Sequence, residues 1–202
     1  MMCETLNKSA LTELPDGFHF RNCRRDELDI WKAMPFDDSE TAEQYHGYMT
    51  EFFNNVYGDK EDLFYDKCVF VCDENDRPVG TCFVWKAYDA VMTVHWWKVL
   101  KDYENRGIGR ALLSYVMSEV SDGGFPVYLH TQPESYRAIK LYSDFGFSFL
   151  TDEIIGDRKN DLHESIPFLK EMIPEEYFKF FTYATAPESF IEAVKSSSIN
   201  QF

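Results

Sequence analysis

Two glycines stand at the start of a predicted helix, within the stretch DYENRGIGRALLSYV at 102–116. The first backbone amides of a helix have no partner inside it, and the helix N-terminus carries about half a positive charge. Gly107 and Gly109 lack a Cβ, so they would let a ligand approach these amides closely. The pattern predicts an anion site, for which phosphate is the usual ligand. A plain turn is the alternative interpretation.

The spacing of the glycines excludes two common phosphate motifs. A P-loop requires G-x-x-x-x-G-K-[ST], and the sequence has no such run. A dinucleotide fingerprint requires a third glycine at the position that Leu112 occupies. The strand before the turn also comes too late in the chain to open a dinucleotide-binding unit.

Hydrophobic periodicity predicts the elements that position this turn. Period-two runs bounded by turn residues indicate strands, and apolar residues at helical spacing indicate helices. The expected strands are at 17–23, 67–73, 79–88, 90–100, 126–131 and 147–150. The expected helices are at 24–34, 39–58, 107–120 and 134–146, with Ser39 or Thr41 as the cap of the second.

The order of these elements predicts a mixed sheet with helices on both faces. The strand–helix–strand unit at 92–131 needs a crossover connection, which makes its two strands parallel. The earlier strands are linked by hairpins and are expected to be antiparallel. Beyond about residue 156 the chain is aromatic and punctuated by prolines, which indicates a helical C-terminal extension.

Two stretches resemble the GNAT superfamily of N-acetyltransferases. The run WKVLKDYENRGIGRALL at 97–113 is similar to motif A, in which a strand precedes Q/R-x-x-G-x-G/A and a helix. The run ESYRAIKLYSDFGF is similar to the second landmark, N-x-x-A-x-x-L-Y-x-x-x-G-F. Glu104 stands where the family has Gln or Arg, Asn105 where Gly is frequent, and Ser135 where Asn is usual.

The resemblance covers about 17–150 and implies a fold. The class is α/β (α+β), with a GNAT-like mixed, mostly antiparallel central sheet of six to seven strands and helices on both faces. It implies an acyl-CoA-binding catalytic domain at 1–155. The helical extension at 156–202 is expected to pack on the same domain.

The resemblance also implies where acetyl-CoA binds. The pyrophosphate would lie on the amides of the glycine turn, and the pantetheine arm would pair with the strand before it. No metal is expected. The cofactor-binding residues would be Trp97, Lys98, Val99, Glu104, Asn105, Arg106, Gly107, Ile108, Gly109, Arg110 and Ser135.

Acetyl transfer to an amine requires a base and a proton donor. An alkyl amine with a pKa of about 10.4 is almost wholly protonated at pH 7. Strand alternation assigns Thr93, His95 and Trp97 to one face, and His95 is the strong base among them. Glu43 or Glu51 could act through water instead, and His95 could be a packing residue.

By resemblance, Tyr142 stands at the position of the family's general acid, where it would hydrogen-bond the leaving thiolate. A core tyrosine is the alternative interpretation. The predicted function is N-acetyltransferase, transferring an acetyl group from acetyl-CoA to a primary amine of a small molecule or protein by direct attack. The alternative is a non-catalytic acyl-CoA-binding or interaction module with a GNAT fold.

The chain is strongly acidic, with 35 Asp and Glu against 20 Lys and Arg and a net charge of −15. Such a charge repels phosphate backbones and anionic lipids, so neither nucleic acid nor a membrane is an expected partner. A cationic amine acceptor is compatible with it. A solvated helix face is the alternative interpretation of the acidic and aromatic region, which comprises Asp37, Asp38, Glu40, Glu43, Tyr45, Tyr48, Glu51, Phe52 and Phe53.

The five cysteines have irregular spacing, which favours burial as small apolar residues over a disulfide framework. Cys68 and Cys72 could begin a metal site, but no second Cys/His pair completes it. The first residues lack the apolar segment of a signal peptide, so a cytoplasmic location is expected. By the resemblance, the first two helices would wall a pocket for the acceptor amine, and the extension could cover that pocket or form a homodimer contact.

Overall fold

The computed structural model describes residues 1–196 and 199–202. Its strands are β1 Met2–Cys3, β2 Phe18–Asn22, β3 Val69–Asp73, β4 Pro78–Ala87, β5 Val91–Val99, β6 Val127–Tyr128, β7 Phe147–Leu150, β8 Ile154–Ile155, β9 Arg158–Lys159 and β10 Tyr183–Ala184. Its α-helices are α1 Leu28–Ala33, α2 Ser39–Val56, α3 Glu61–Lys67, α4 Ile108–Ser118, α5 Tyr136–Asp144, α6 Leu162–Met172, α7 Glu175–Phe178 and α8 Glu188–Lys195.

The chain divides into two compact units. The first comprises Met1–Leu11, Lys86–Thr93 and Val120–Phe202. The second comprises Thr12–Trp85 and Val94–Glu119. Residues 156–202 therefore group with 120–155, and the boundary expected at 155/156 stays a prediction.

The first unit is organised around the short strand β1. This strand is antiparallel to both β6 and β7, with Met2 opposite Tyr128 on one side and Ser148 on the other. Strand β10 adds in parallel to β7. The start of β5 pairs in parallel with β6, where Met92 lies opposite Val127. This last pair is the parallel crossover unit that the sequence predicted.

Two apolar clusters form the core of the first unit. One is built on Met2, Tyr128, Leu150, Ala186 and Phe190. The other is built on Ile139, Phe149, Leu169, Ile173 and Phe181. Helix α8 supplies Phe190 to the first cluster and helix α6 supplies Leu169 to the second, so the predicted helical extension exists and takes part in the core.

The second unit is a set of neighbouring strands in the order β5-β4-β3-β2, with β3 antiparallel to both β2 and β4. Its core is aromatic. The indole of Trp31 makes edge contacts with Phe53, Tyr57, Phe64 and Trp96, at centroid separations of 5.0–6.1 Å. Edge-to-face packing of this kind suits the charge distribution of aromatic rings.

The predicted fold class is confirmed, with eight strands in the sheet where six to seven were expected. The hydrogen-bonded order is β10-β7-β1-β6-β5-β4-β3-β2, an eight-stranded mixed sheet with helices on both faces. Strands β1 and β10 have two residues each, which is too short for an alternating pattern to be recognised. Strands β8 and β9 form a separate hairpin that the sequence did not predict.

Two helix predictions need correction. The cap of α2 is Asp38, whose carboxylate accepts from the Thr41 amide at 2.8 Å, and neither Ser39 nor Thr41 has this role. Helix α3 was missed because its seven residues are too few to show a clear period. Across the described residues, no helix is long and apolar enough to cross a membrane.

Candidate active site

The glycine turn is the N-terminus of α4. Gly107 caps this helix with φ +82°, a left-handed conformation that glycine adopts at no steric cost. The amide of Ala111 donates to the Gly107 carbonyl at 3.1 Å, which is the first bond of the helical ladder. The amides of Ile108 and Gly109 precede that bond, so the helix itself does not use them. The helix N-terminus thus offers the amides that an anion site needs, and the site itself stays a prediction.

Asn105 also has a left-handed backbone, with φ +60°. Asparagine tolerates this conformation better than most residues with a side chain. Asparagine can therefore replace the glycine that is frequent in the family at this position without a change in the backbone conformation of the turn.

Gly109 is required by close packing against β5. A Cβ at this position would lie 3.1 Å from Cζ2 of Trp97 and 3.6 Å from Cγ2 of Val99. The indole Nε1 of Trp97 donates to the Gly109 carbonyl at 3.1 Å. The strand before the turn and the first turn of α4 are therefore locked together through Trp97.

The charged residues near the turn have defined positions. The guanidinium of Arg106 donates to the Asp102 carbonyl at 2.9 Å and lies 5.0 Å from the centroid of Tyr103. Lys98 on β5 pairs with Asp37 at 2.5 Å. Glu104 is exposed, whereas Arg110 is half-buried. Side chains of both charges, those of Glu104 and Arg106, therefore lie close to the exposed backbone of the turn.

His95 lies in a buried hydrogen-bonded group with two aromatic residues. Its Nδ1 is 2.5 Å from the hydroxyl oxygen of Tyr57, and that oxygen accepts from Nε1 of Trp96 at 3.2 Å. His95 is 3% exposed and Tyr57 fully buried. Burial lowers the pKa of His95 to about 3 and raises the pKa of Tyr57 well above its usual value. The imidazole is therefore neutral at physiological pH.

The expected alternation along β5 is wrong at this point. Trp96 has φ +51°, which interrupts the period of two. As a result His95 and Trp96 both reach Tyr57, whereas Trp97 reaches Gly109 on α4. His95 and Trp97 therefore do not share their surroundings, and Tyr57 is a partner that the sequence did not single out. Tyr57 and His95 are 38 positions apart, and no pattern in the sequence between them links the two.

Tyr142 and Ser135 belong to the first unit. Tyr142 lies on α5, is 6% exposed, and its ring centroid is 5.7 Å from that of Phe147. Ser135 is exposed and precedes the first residue of α5. The predicted general acid Tyr142 therefore lies on α5, and the predicted cofactor contact Ser135 comes immediately before that helix.

Several carboxylates of the acidic and aromatic region in the second unit stabilise the fold or face solvent. Asp37 pairs with Lys98, and Asp38 caps α2. The alternative bases Glu43 and Glu51 are exposed on α2. Exposed carboxylates of this kind suit the solvated helix face that was the alternative interpretation.

Among the residues that the structure describes, one group of potential metal ligands is present, and it lies in the second unit. Ligand atoms of His19, Cys72 and Asp76 are within 4.8 Å of one another. The Asp76 carboxylate, however, accepts from Arg21 and Arg24, each at 2.7 Å. These guanidinium groups hold the pKa of Asp76 well below its usual range. A divalent cation would have to displace two cations, so this group is an ion-pair network. The cysteines are all buried and free.

The family model for acetyltransferases of the GNAT family matches residues 29–147, more than half of the chain. The protein therefore belongs to the GNAT acetyltransferase family, whose members are acyl-CoA-dependent N-acyltransferases. The match spans the glycine turn and the whole of the second landmark at 134–147, so the predicted resemblance is confirmed. Among curated proteins, none matches the sequence at a significant level.

Several solved structures are similar to the chain. PH1933 from Pyrococcus horikoshii OT3 is 20% identical with a TM-score of 0.54, over 68% of this chain and 93% of that one. Arabidopsis thaliana Naa50, in complex with the bisubstrate analogue CoA-Ac-MVNAL, is 24% identical with a TM-score of 0.46, over 71% and 91%. Diaminobutyrate acetyltransferase EctA from Paenibacillus lautus, with its substrate and coenzyme A, is 18% identical with a TM-score of 0.44, over 62% and 72%.

Proposed function

We propose that the protein transfers an acetyl group from acetyl-CoA to a primary amine. The amine nitrogen attacks the thioester carbon, the new C–N bond forms, and the C–S bond breaks. The amine loses a proton and the departing thiolate gains one. Membership of the GNAT family supports this reaction class.

The observation that carries the proposal is the backbone of the glycine turn. Gly107 and Asn105 both have left-handed φ values, and the amides that follow precede the first helical bond. Backbone amides at a helix N-terminus bind phosphate oxygens without a contribution from side-chain charge. The turn therefore suits the pyrophosphate of coenzyme A even though Glu104 stands in it.

Tyr142 is proposed as the hydrogen-bond donor to the leaving thiolate, and His95 as the group that assists the amine. A tyrosine hydroxyl favours the developing negative charge on sulfur more than the neutral thioester. Because its pKa is about 3, His95 is a weak base. To accept a proton from the amine, it would also have to rearrange its hydrogen bond with Tyr57. Holding the amine and the thioester together contributes independently of either side chain.

Coenzyme A binding and thiol release test the proposal separately. Titration calorimetry should show binding of coenzyme A, and a thousandfold excess over the Kd should stabilise the fold by about 4 kcal/mol. Release of free thiol from acetyl-CoA should then depend on an added amine. Absence of coenzyme A binding would overturn the proposal. Binding without thiol release across a panel of amines would instead favour the non-catalytic module.

A further inference from the structure

The first unit encloses a cavity of about 420 Å³. Sites for small molecules usually have volumes of about 300–1,000 Å³. The loop after β6, the β8–β9 hairpin and helices α5, α6 and α8 all contribute to its wall. No predicted cofactor or catalytic residue lines it, so it is a separate feature of the molecule.

The floor of the cavity is apolar. Six of its lining residues are buried, with exposed fractions between 1% and 7%: Leu129, Ile139, Phe149, Leu150, Leu169 and Phe190. A floor of this composition favours an apolar group of a ligand because burying it removes apolar surface from water.

Arg158 brings a cation to the wall of the cavity. Its Nη1 lies 3.3 Å from Nδ1 of His130, which also lines the cavity. Partial desolvation of the ring and the adjacent guanidinium lower the pKa of His130, which favours the neutral imidazole and leaves Arg158 as the cation of this pair. Among the residues that the structure describes, no carboxylate oxygen lies within 4.0 Å of Arg158. The guanidinium is therefore available to an anionic group.

Glu134 brings an anion to the same wall. It lies in the loop after β6 and, within the described ranges 1–196 and 199–202, has no basic nitrogen within 4.0 Å. Two other charged residues line the cavity, and they compensate each other because Lys159 pairs with Asp161 at 3.5 Å. Lys159 also pairs with Glu164 at 2.5 Å, outside the lining. Of the charged side chains among the described lining residues, Arg158 and Glu134 therefore lie outside this network, over an apolar floor.

The hairpin that carries Arg158 is held in place on two sides. A Cβ at Gly156 would lie 2.5 Å from Cγ1 of Val194, so the glycine lets the hairpin pack tightly against α8. The side-chain amide of Asn160 donates to the carbonyls of Leu150 and Asp152, at 2.7 Å and 2.8 Å. Arg158 lies between these two anchors and is half-buried. Such fixing reduces the entropy that a ligand would otherwise lose on binding.

We propose that this cavity binds an apolar α-amino acid. Arg158 receives the carboxylate, for which the planar guanidinium is well suited. Glu134 receives the ammonium group, and the apolar side chain lies on the floor. This binding is independent of the proposed acetyl transfer, because no residue proposed for that reaction lines the cavity.

Calorimetry with unliganded protein tests the site without any acetyl transfer. L-Phenylalanine and L-leucine should bind, whereas phenethylamine lacks the carboxylate and 3-phenylpropionate lacks the amine, so both should bind more weakly. The substitution Arg158→Gln should weaken phenylalanine binding about tenfold to a hundredfold, as expected for a charge-assisted hydrogen bond. Glu134→Gln should have a smaller effect because the carboxylate is exposed.

Arg137→Gln is the matched control, because Arg137 is an exposed arginine of the same unit that does not line the cavity. It should leave phenylalanine affinity unchanged, and thermal melts should show that all variants fold. The proposal is overturned if phenylalanine gives no binding at millimolar concentration. It is equally overturned if phenethylamine binds as tightly, or if Arg158→Gln and Arg137→Gln have equal effects.

Discussion

The hydroxyl of Tyr57 lies 2.5 Å from Nδ1 of His95 in the aromatic core of the second unit. The same oxygen accepts from the indole of Trp96, which can only donate. The Tyr57 proton is thus directed to Nδ1, and the neutral imidazole carries its own proton on Nε2. In this tautomer His95 is a hydrogen-bond donor at Nε2. Its action as a base would require the Tyr57 hydrogen bond to reverse.

Replacing Tyr57 with phenylalanine should destabilise the fold. The change removes an oxygen that serves both His95 and Trp96, and leaves buried polar atoms without that partner. We expect the free energy of unfolding to fall by about 1–3 kcal/mol. Urea unfolding measures this loss. The matched control is Tyr45→Phe on the exposed face of α2, which should stay within about 0.5 kcal/mol of the native protein. Equal effects of the two changes would contradict the structural role of Tyr57.

His95 should make stability depend on pH. Its pKa is lowered from 6.5 to about 3 by burial. Between these values the unfolded chain binds more protons than the folded one, so the free energy of unfolding decreases as the pH falls. One such group contributes about 1.4 kcal/mol per pH unit, or about 2 kcal/mol between pH 6.5 and pH 5.

Urea unfolding of the native protein and of His95→Gln, compared between pH 7.5 and pH 5, isolates this contribution. Glutamine keeps a polar group beside Tyr57 and does not titrate. The native protein should lose more stability than the variant as the pH falls below 6.5. Parallel pH profiles would show that His95 does not titrate as its burial implies.

Gly109→Ala should loosen the contact between β5 and α4. The new Cβ would lie 3.1 Å from Trp97, whose indole is fixed by its bond to the Gly109 carbonyl. Overpacking of this kind costs about 1–3 kcal/mol. Unfolding measurements should show the loss, and calorimetry should show weaker coenzyme A binding because the turn is displaced.

Gly47→Ala is the control for this change. Gly47 lies within α2, and a Cβ there would meet no atom within 4 Å. Because alanine is the better helix former, this substitution should raise the free energy of unfolding by about 0.5–1 kcal/mol. If Gly109→Ala were as stable as Gly47→Ala, the tight contact with Trp97 would be disproved.

The central elements of the fold could be predicted from sequence because their patterns are long. Strand β5 has nine residues rich in β-branched and aromatic side chains, helix α4 has eleven with an apolar face, and the glycine turn between them marks a boundary. Strands β1 and β10 are paired by distant parts of the chain, and two residues carry no periodic signal. Their place in the sheet is decided by tertiary pairing.

The candidate site divides in the same way. Gly107 and Gly109 are identifiable because their chemistry is local to the turn. Tyr57 and Arg158 are not, since their importance comes from partners that are 38 and 28 residues away. The alternation along β5 failed at Trp96 because a left-handed residue within a strand leaves no mark in the hydrophobic pattern.

Tyr142→Phe should lower turnover more than coenzyme A affinity. If the hydroxyl donates to the thiolate only as charge develops, its loss acts on the transition state, and kcat should fall about a hundredfold. The Kd for coenzyme A should stay near that of the native protein. Tyr136→Phe on the same helix is the control and should leave kcat unchanged. Proportionate losses of kcat and affinity would assign Tyr142 a packing role.

Glu104→Gln should strengthen coenzyme A binding. Glu104 is exposed in the turn proposed to hold the pyrophosphate, where a negative side chain opposes the charge of the ligand. Removing that charge should raise the affinity about two- to fivefold, the range of charge effects at a helix N-terminus. The gain should shrink as salt is added, because exposed charges are screened. Calorimetry at low and high salt measures both effects.

The matched control is Glu119→Gln, which removes the same charge at the opposite end of α4. The eleven residues of this helix span about 16 Å, which exceeds the screening length of about 8 Å at physiological ionic strength. Its effect on coenzyme A affinity should therefore be small. Equal gains from both variants would mean that only net charge matters. No gain from Glu104→Gln would mean that the pyrophosphate does not lie beside Glu104, and the amides after Gly107 would then lose their proposed ligand.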